Sequence, residues 1–241
     1  MNEIQFIEIS FQDKQLIEGV RRIYETSFRG EVRVPWDYLL CEFEGARIRE
    51  KLKRWKNERY HLIGGLEENK LVAFFISKYF WEFSYSTYMA VDVSYRNRDI
   101  GTQMGWKLIE IAKADADEFQ IKDSVLLFEV EKPEYAANDA VKLELEERIQ
   151  FYKKKFGIIF LDVQYLQPLA LEDGIEMYLA IYPLSNKNFI ESDQLLHYIR
   201  IIYQLEYHLS PHQNAAKFGR NMKIIRDSIK NRKEIFGIAN L

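Results

Sequence analysis

Residues Ala90 to Met104, AVDVSYRNRDIGTQM, run from an apolar stretch through a short polar turn into a helical pattern. Such a turn aims several unpaired backbone amides, and the positive end of the helix dipole, at one point. The chemistry suited to that point is phosphate binding. Arg96 and Arg98 would add charge-assisted contacts to a pyrophosphate or ribose phosphate, and Gly101 would let a ligand approach the backbone. The competing reading is an ordinary helix start with two solvated arginines. Two acidic residues stand among apolar ones. Glu129 interrupts Leu126-Leu127-Phe128 and Val130, an environment that raises a carboxyl pKa toward a range useful for proton transfer; a salt-bridged or outward-pointing Glu129 is the alternative. Asp92 lies between Val91 and Val93 at the end of the expected strand Ser84 to Val93, where facing solvent is its alternative. His61, His197, His208 and His212 show no metal-ligand spacing with acidic partners, so no metal site is expected.

These groups need a scaffold, and 241 residues with 47% hydrophobic and 29% charged side chains are enough to bury a full core. A strand over Ile4 to Ile9 opens the chain. Asp13 then caps a helix with Leu16, Ile17, Val20, Ile23 and Tyr24 on one face, ending near Phe28-Arg29-Gly30. Pro35 suits the first turn of a second helix carrying Trp36, Leu39, Leu40 and Phe43, with a charged continuation over Arg47 to Lys56. Three β-rich runs follow, Tyr60 to Leu66, Lys70 to Tyr79 and Ser84 to Val93; the polar Glu67-Glu68-Asn69 between the first two predicts a hairpin and an antiparallel meander. Gly101 to Phe119 reads as a helix, Ser124 to Val130 as a buried strand and Ala137 to Phe156 as a helix. Ile158 to Tyr165 and Ile175 to Tyr182 read as strands, and Phe189 to Leu241 as all helix.

A dinucleotide fold would place its glycine loop after the first strand of a parallel sheet; here the loop follows the fourth strand, and no Walker Gly-Lys-Ser or Gly-Lys-Thr occurs. In this order and at this place the sequence resembles the GCN5-related N-acetyltransferase (GNAT) superfamily. The family's acetyl-CoA motif is arginine or glutamine, two residues, glycine, one residue, then glycine or alanine. It aligns with Arg96-Asn97-Arg98-Asp99-Ile100-Gly101, with Asp99 at the first glycine position. A second match is Arg148-Ile-Gln-Phe-Tyr-Lys-Lys-Lys-Phe-Gly-Ile, where an aromatic-tyrosine pair precedes a helix-ending glycine, Gly157. The secondary-structure order agrees over roughly residues 3 to 184.

The resemblance implies an α/β (α+β) fold: a mixed, mostly antiparallel central sheet flanked by helices, acyl-CoA N-acyltransferase-like. It implies acetyl-CoA as acyl donor, held by the backbone of Val91 and Val93 as if it were an added strand and by Arg96, Asn97, Arg98, Asp99, Ile100, Gly101 and Thr102. It implies direct transfer to a primary amine of a small molecule or peptide. Tyr152 would hydrogen-bond the cofactor sulfur and protonate the leaving thiolate, as a hydroxyl protonated at neutral pH can. An ammonium acceptor must lose a proton, and Glu129 is the expected base with Asp92 as alternative. The competing class is a non-catalytic acyl-CoA-binding or interaction module, motivated by Asp99 and the open choice of base. For the acceptor, Phe28, Trp36, Tyr38 and the run Tyr79 to Tyr85 with Tyr88 leave both an aromatic cleft and ordinary core packing open.

The expected domains are 1–184, acetyltransferase-like, and 185–241, a C-terminal helical extension. In the extension Leu195, Ile199 and Ile202, then Phe218, Met222 and Ile225, make two stripes around Ser210-Pro211, a helical hairpin. Its last helix is basic from Lys217 to Lys233, read as a solvated outer face with a nucleic-acid or membrane surface as the alternative, and a homodimer contact or a cover over the acceptor cleft are the open roles of the extension as a whole. A net charge of −3 leaves no field for a polyanion, so nucleic acid is not the expected partner. The longest apolar run, Leu71 to Ile76, is far short of the roughly 20 residues that span a bilayer. With one cysteine, Cys41, and no basic or apolar leader in MNEIQFIEIS, the expected location is the cytoplasm.

Overall fold

The computed structural model describes residues 4–28, 33–51, 58–168, 174–239 and 241. Arg29 and Gly30 of the expected helix end, and the second half of the charged continuation, 52–56, lie outside them. The chain forms two compact units, Met1–Leu126 and Leu127–Leu241.

The first unit begins with β1 (Gln5–Glu8), α1 (Lys14–Ser27) and α2 (Trp36–Lys51). Asp13 caps α1 by accepting from the Leu16 amide at 3.1 Å, as its spacing from the apolar stripe predicts. The meander follows as β2 (Glu58–Glu67), β3 (Lys70–Phe80) and β4 (Phe83–Val91), all antiparallel, with β1 added on the far side of β2. The β2–β3 turn is two residues long because Glu68 and Asn69 both adopt positive φ, 50° and 65°, the backbone hand that matches strand twist. Phe74 and Ile76 pack with Val20, Ile23 and Tyr24 of α1 and with Trp36, Leu39 and Phe43 of α2 in one buried cluster. The other face meets α3 (Ile100–Glu118): a Cβ placed on Gly65 would stand 3.3 Å from Met104 Sδ and 3.5 Å from Ala73 Cβ. Helices therefore cover both faces of the meander.

The second unit takes most of β5 (Val125–Glu131), then α4 (Asp139–Phe156), β6 (Ile159–Phe160), β7 (Tyr165–Gln167) and β8 (Ile175–Pro183). Asn138 caps the head of α4, and Gly157, at φ 69°, ends it in the left-handed conformation the sequence predicts. β8 lies between β5 and β6 and also pairs with β7. The single strand expected over Ile158 to Tyr165 is thus two short ones. Leu161 N still donates to Leu179 O at 2.9 Å, but Asp162 N turns to Phe236 O at 3.0 Å, so the chain leaves β8 to pair with the C-terminal segment.

That segment is not all helix. β9 (Ile190–Glu191), α5 (Ser192–Leu205) and α6 (Ala215–Ser228) are followed by β10 (Glu234–Ile235), which pairs antiparallel with β9 and buries Ile190 and Ile235. The last helix stops at Ser228, and Arg232 beyond it binds Asp162 at 2.7 Å and the Ser228 carbonyl at 2.8 Å. The expected helical hairpin is present in α5 and α6, which share their compact unit with β6 to β8. Among the described residues no helix is long and apolar enough to cross a membrane.

Candidate active site

In the first unit β4 stops at Val91. Asp92 N still donates to Val72 O at 2.8 Å, but the Asp92 side chain accepts from Ser94 N at 3.0 Å and starts a single 3-10 turn, Val93–Tyr95. Asp92 and Val93 are therefore not on the strand, as the apolar pattern suggests, but in the turn; Val93 is exposed and its carbonyl accepts the Arg96 amide at 3.4 Å. Val91 alone keeps strand geometry.

Asp92 is almost wholly buried, and Arg22 of α1 reaches it at 2.5 Å. Burial opposes ionisation, but the Ser94 amide and the Arg22 guanidinium together outweigh it and hold the carboxyl below its ordinary value. A carboxylate held this way is a weak proton acceptor. In this structure Asp92 caps the turn and anchors Arg22.

Past the turn, Asn97 and Asp99 adopt left-handed backbone, φ 61° and 60°. Asparagine and aspartate enter that region more readily than other side chains, so Asp99 can take the conformation of the motif's glycine. Its side chain is exposed and makes no capping hydrogen bond, so the amides of Ile100, Gly101 and Thr102 at the head of α3 carry no side-chain cap. The two arginines differ. Arg98 Nη2 donates to Glu67 Oε1 at 2.6 Å, and the same guanidinium lies 5.2 Å from the Tyr95 ring centroid, which clamps the turn onto the β2–β3 hairpin. Arg96 is exposed and donates its Nε to Val91 O at 3.4 Å.

In the second unit β5 alternates its side chains between faces. Phe128 turns to α4, where its ring meets Tyr152 edge-on at 5.4 Å. Burial pushes the Tyr152 hydroxyl pKa up against the nearby Arg148 charge, so the group stays protonated at neutral pH. Among the described residues nothing hydrogen-bonds that hydroxyl. Glu129 turns the other way. Its Oε1 accepts from the Tyr165 hydroxyl, and its Oε2 accepts from Gln167 Nε2 and from the Tyr207 hydroxyl, each at 2.5 Å. Burial raises the Glu129 pKa, and the three donors counter this only in part. Glu129 as a residue is half-buried, in the apolar environment its strand predicts. The candidate acid and base thus lie toward opposite faces of one strand.

The chain matches the model of the Acetyltransferase (GNAT) family over residues 17–158. The chain belongs to that family. No curated protein matches it in sequence. Among solved structures, this GNAT chain is similar to a protein from Bacteroides thetaiotaomicron assigned to GNAT acetyltransferases, with TM-score 0.60, 21% identity, and 86% of this chain and 99% of that one covered. It is also similar to a GNAT protein from Desulfovibrio desulfuricans, with TM-score 0.51, 12% identity, and 76% and 100% covered. An aminoglycoside 6'-N-acetyltransferase complexed with coenzyme A gives TM-score 0.50 at 11% identity, with 76% and 98% covered. At these identities the likeness shows the fold, a mixed, mostly antiparallel sheet flanked by helices.

Three residues of this GNAT enzyme that touch Glu129 escape sequence reading. Tyr165, Gln167 and Tyr207 follow Glu129 by 36, 38 and 78 positions, and no local spacing links them. Arg22 is equally remote from Asp92. Signals were present only in part: a glutamate inside an apolar strand predicts polar partners without naming them.

Proposed function

We propose that this GNAT enzyme transfers an acetyl group from acetyl-CoA to a primary amine of a small molecule or peptide, directly and without a covalent enzyme intermediate. The observation that carries the reading is the head of α3. There a left-handed turn at Asn97 and Asp99 leaves the amides of Ile100, Gly101 and Thr102 without a side-chain cap, beside the exposed Arg96, in a chain of the acetyltransferase family. Converging amides, a helix dipole and a guanidinium suit a pyrophosphate. The coenzyme A complex of a protein with a similar fold supports a donor of the same type.

In this reading residues 96–102 hold the pyrophosphate and Val91 offers strand backbone to the pantetheine arm. Arg98 acts chiefly by fixing the turn through Glu67. The donor supplies an activated acyl group as a thioester. Glu129, which turns to the other face of β5 from Tyr152, accepts one proton of the incoming ammonium through a water, which frees the nitrogen lone pair for attack on the acyl carbon; the carbon–sulfur bond breaks, Tyr152 gives its proton to the departing thiolate, and the second nitrogen proton, lost as the amide forms, restores the Tyr152 hydroxyl. Residues 1–184 supply this chemistry and 185–241 extend it. One cysteine and a near-neutral charge balance fit a protein of the cytoplasm, and α5 and α6 are the surface we assign to a homodimer contact.

Thiol release from acetyl-CoA in the presence of a mixture of primary amines tests the reading. Release that depends on the amines and falls in Glu129→Gln is the expected result. Amine-dependent release that Glu129→Gln leaves intact contradicts the assignment of the base.

A further inference from the structure

The hydrogen bonds around Glu129 come from parts of the chain beyond residues 17–158, the segment matched to the family. Tyr165 and Gln167 lie on β7, and Tyr207 follows the last turn of α5. They are linked to one another as well: Gln167 Nε2 also donates to the Tyr207 hydroxyl at 2.8 Å. Tyr165 is fully buried, while Tyr207 and Gln167 are half-buried, so one side of the cluster is packed and the other approaches the surface.

Resting on the function proposed above, we propose that Tyr207, with Tyr165 and Gln167, positions Glu129 and sets its ionisation, so that the segment after α5 belongs to the proton-transfer machinery of this enzyme. The donor count supports it. A carboxylate has room for several N–H or O–H donors, and two hydroxyls and an amide aimed at it favour the charged form that accepts a proton, against the cost of burial. Among the described residues, neighbouring titratable groups either act on this cluster or are bound elsewhere. Glu206, at the end of α5, raises the Glu129 pKa by like charge, and Tyr203 feels the Glu129 charge but donates its own hydroxyl to Leu166 O at 2.6 Å. Glu176 on β8 is bound by Lys132 at 2.5 Å, and Arg148 on α4 pairs with Glu131 at 3.6 Å. Removing the Tyr207 oxygen keeps the ring and takes away a donor to the anion together with an acceptor of Gln167 Nε2, so Glu129 should hold its proton to higher pH, leaving less base at neutral pH.

The test needs no acceptor. The full chain is labelled with 13C in its glutamate side-chain carboxyls, the Glu129 signal is assigned by its loss in Glu129→Gln, and its titration is followed by NMR. Tyr207→Phe is expected to move the midpoint upward by about one pH unit, the effect of one hydrogen bond to a charged group, and Tyr165→Phe in the same direction. Tyr203→Phe, which removes a hydroxyl bonded elsewhere, controls for packing and should leave it in place. A midpoint unmoved by Tyr207→Phe, or moved equally by Tyr203→Phe, overturns the proposal. Loss of the base assignment itself reads out separately, as amine-dependent thiol release that persists in Glu129→Gln.

Discussion

Arg22 donates to Asp92 across 2.5 Å and ties α1 to the turn that follows β4, two elements 70 positions apart in sequence. The carboxylate is almost buried and its other partner is the Ser94 amide, so Arg22→Ala leaves a buried anion short of a donor. A loss of about 1–3 kcal/mol is expected, read from the denaturant midpoint. Because the carboxyl is held below its ordinary value, Asp92→Asn should not move the acid limb of the activity profile. A limb that shifts in Asp92→Asn would assign the base to Asp92.

Asp99 holds left-handed backbone at φ 60° where the acetyl-CoA motif has glycine, and it brings a negative charge to the head of α3. Asp99→Gly keeps the backbone conformation at no steric cost and removes the charge. Acetyl-CoA affinity is expected to rise about 3–10-fold at low salt, the effect of a surface interaction of about 1 kcal/mol, and the gain should shrink as salt is added. Equal affinities for the two proteins at low salt would place the pyrophosphate away from this turn.

Tyr152→Phe removes the hydroxyl and keeps the edge-on ring contact with Phe128. Turnover on any acceptor is expected to fall by about 10²-fold or more, the usual contribution of a positioned acid, with acetyl-CoA affinity little changed. Unchanged turnover removes Tyr152 from the chemistry.

His61 on β2 sits between two carboxylates, with Nδ1 3.2 Å from Glu8 and Nε2 3.1 Å from Asp115 of α3. Burial works against the charged ring, but hydrogen bonds to Asp115 and Glu8 outweigh it and bring the pKa from 6.5 to about 9. Because the folded value lies above the unfolded one, the contribution is complete below pH 6.5 and fades as pH rises toward 9. Its size, on the order of 3 kcal/mol, should appear as a drop in unfolding free energy between pH 6 and pH 10 that His61→Ala lacks. A drop of the same size in both proteins would assign the pH dependence to other groups.

Local signals carried far along this chain. Asp13 and Gly157 mark helix ends because capping is a matter of one or two residues, and Glu68-Asn69 marks a hairpin because its backbone hand is set by the turn itself. The Arg96 to Gly101 motif was legible for the same reason. Short elements and long-range partners were not. β6, β9 and β10 have two residues each, too few to show an alternation, and all form by pairing with distant chain. Val93 reads as strand because it is β-branched and follows a strand, yet the Asp92 cap turns the backbone before it. The donors to Glu129 depend on how β7 and α5 meet β5, which no spacing in the sequence encodes.

Calorimetric titration of the full chain with acetyl-CoA and with CoA tests the central claim most directly. Both are expected to bind saturably at one site per chain, with affinity that weakens as salt rises because ionic contacts to the pyrophosphate contribute. Absence of saturable binding for both would contradict the donor assignment and, with it, the proposed transfer.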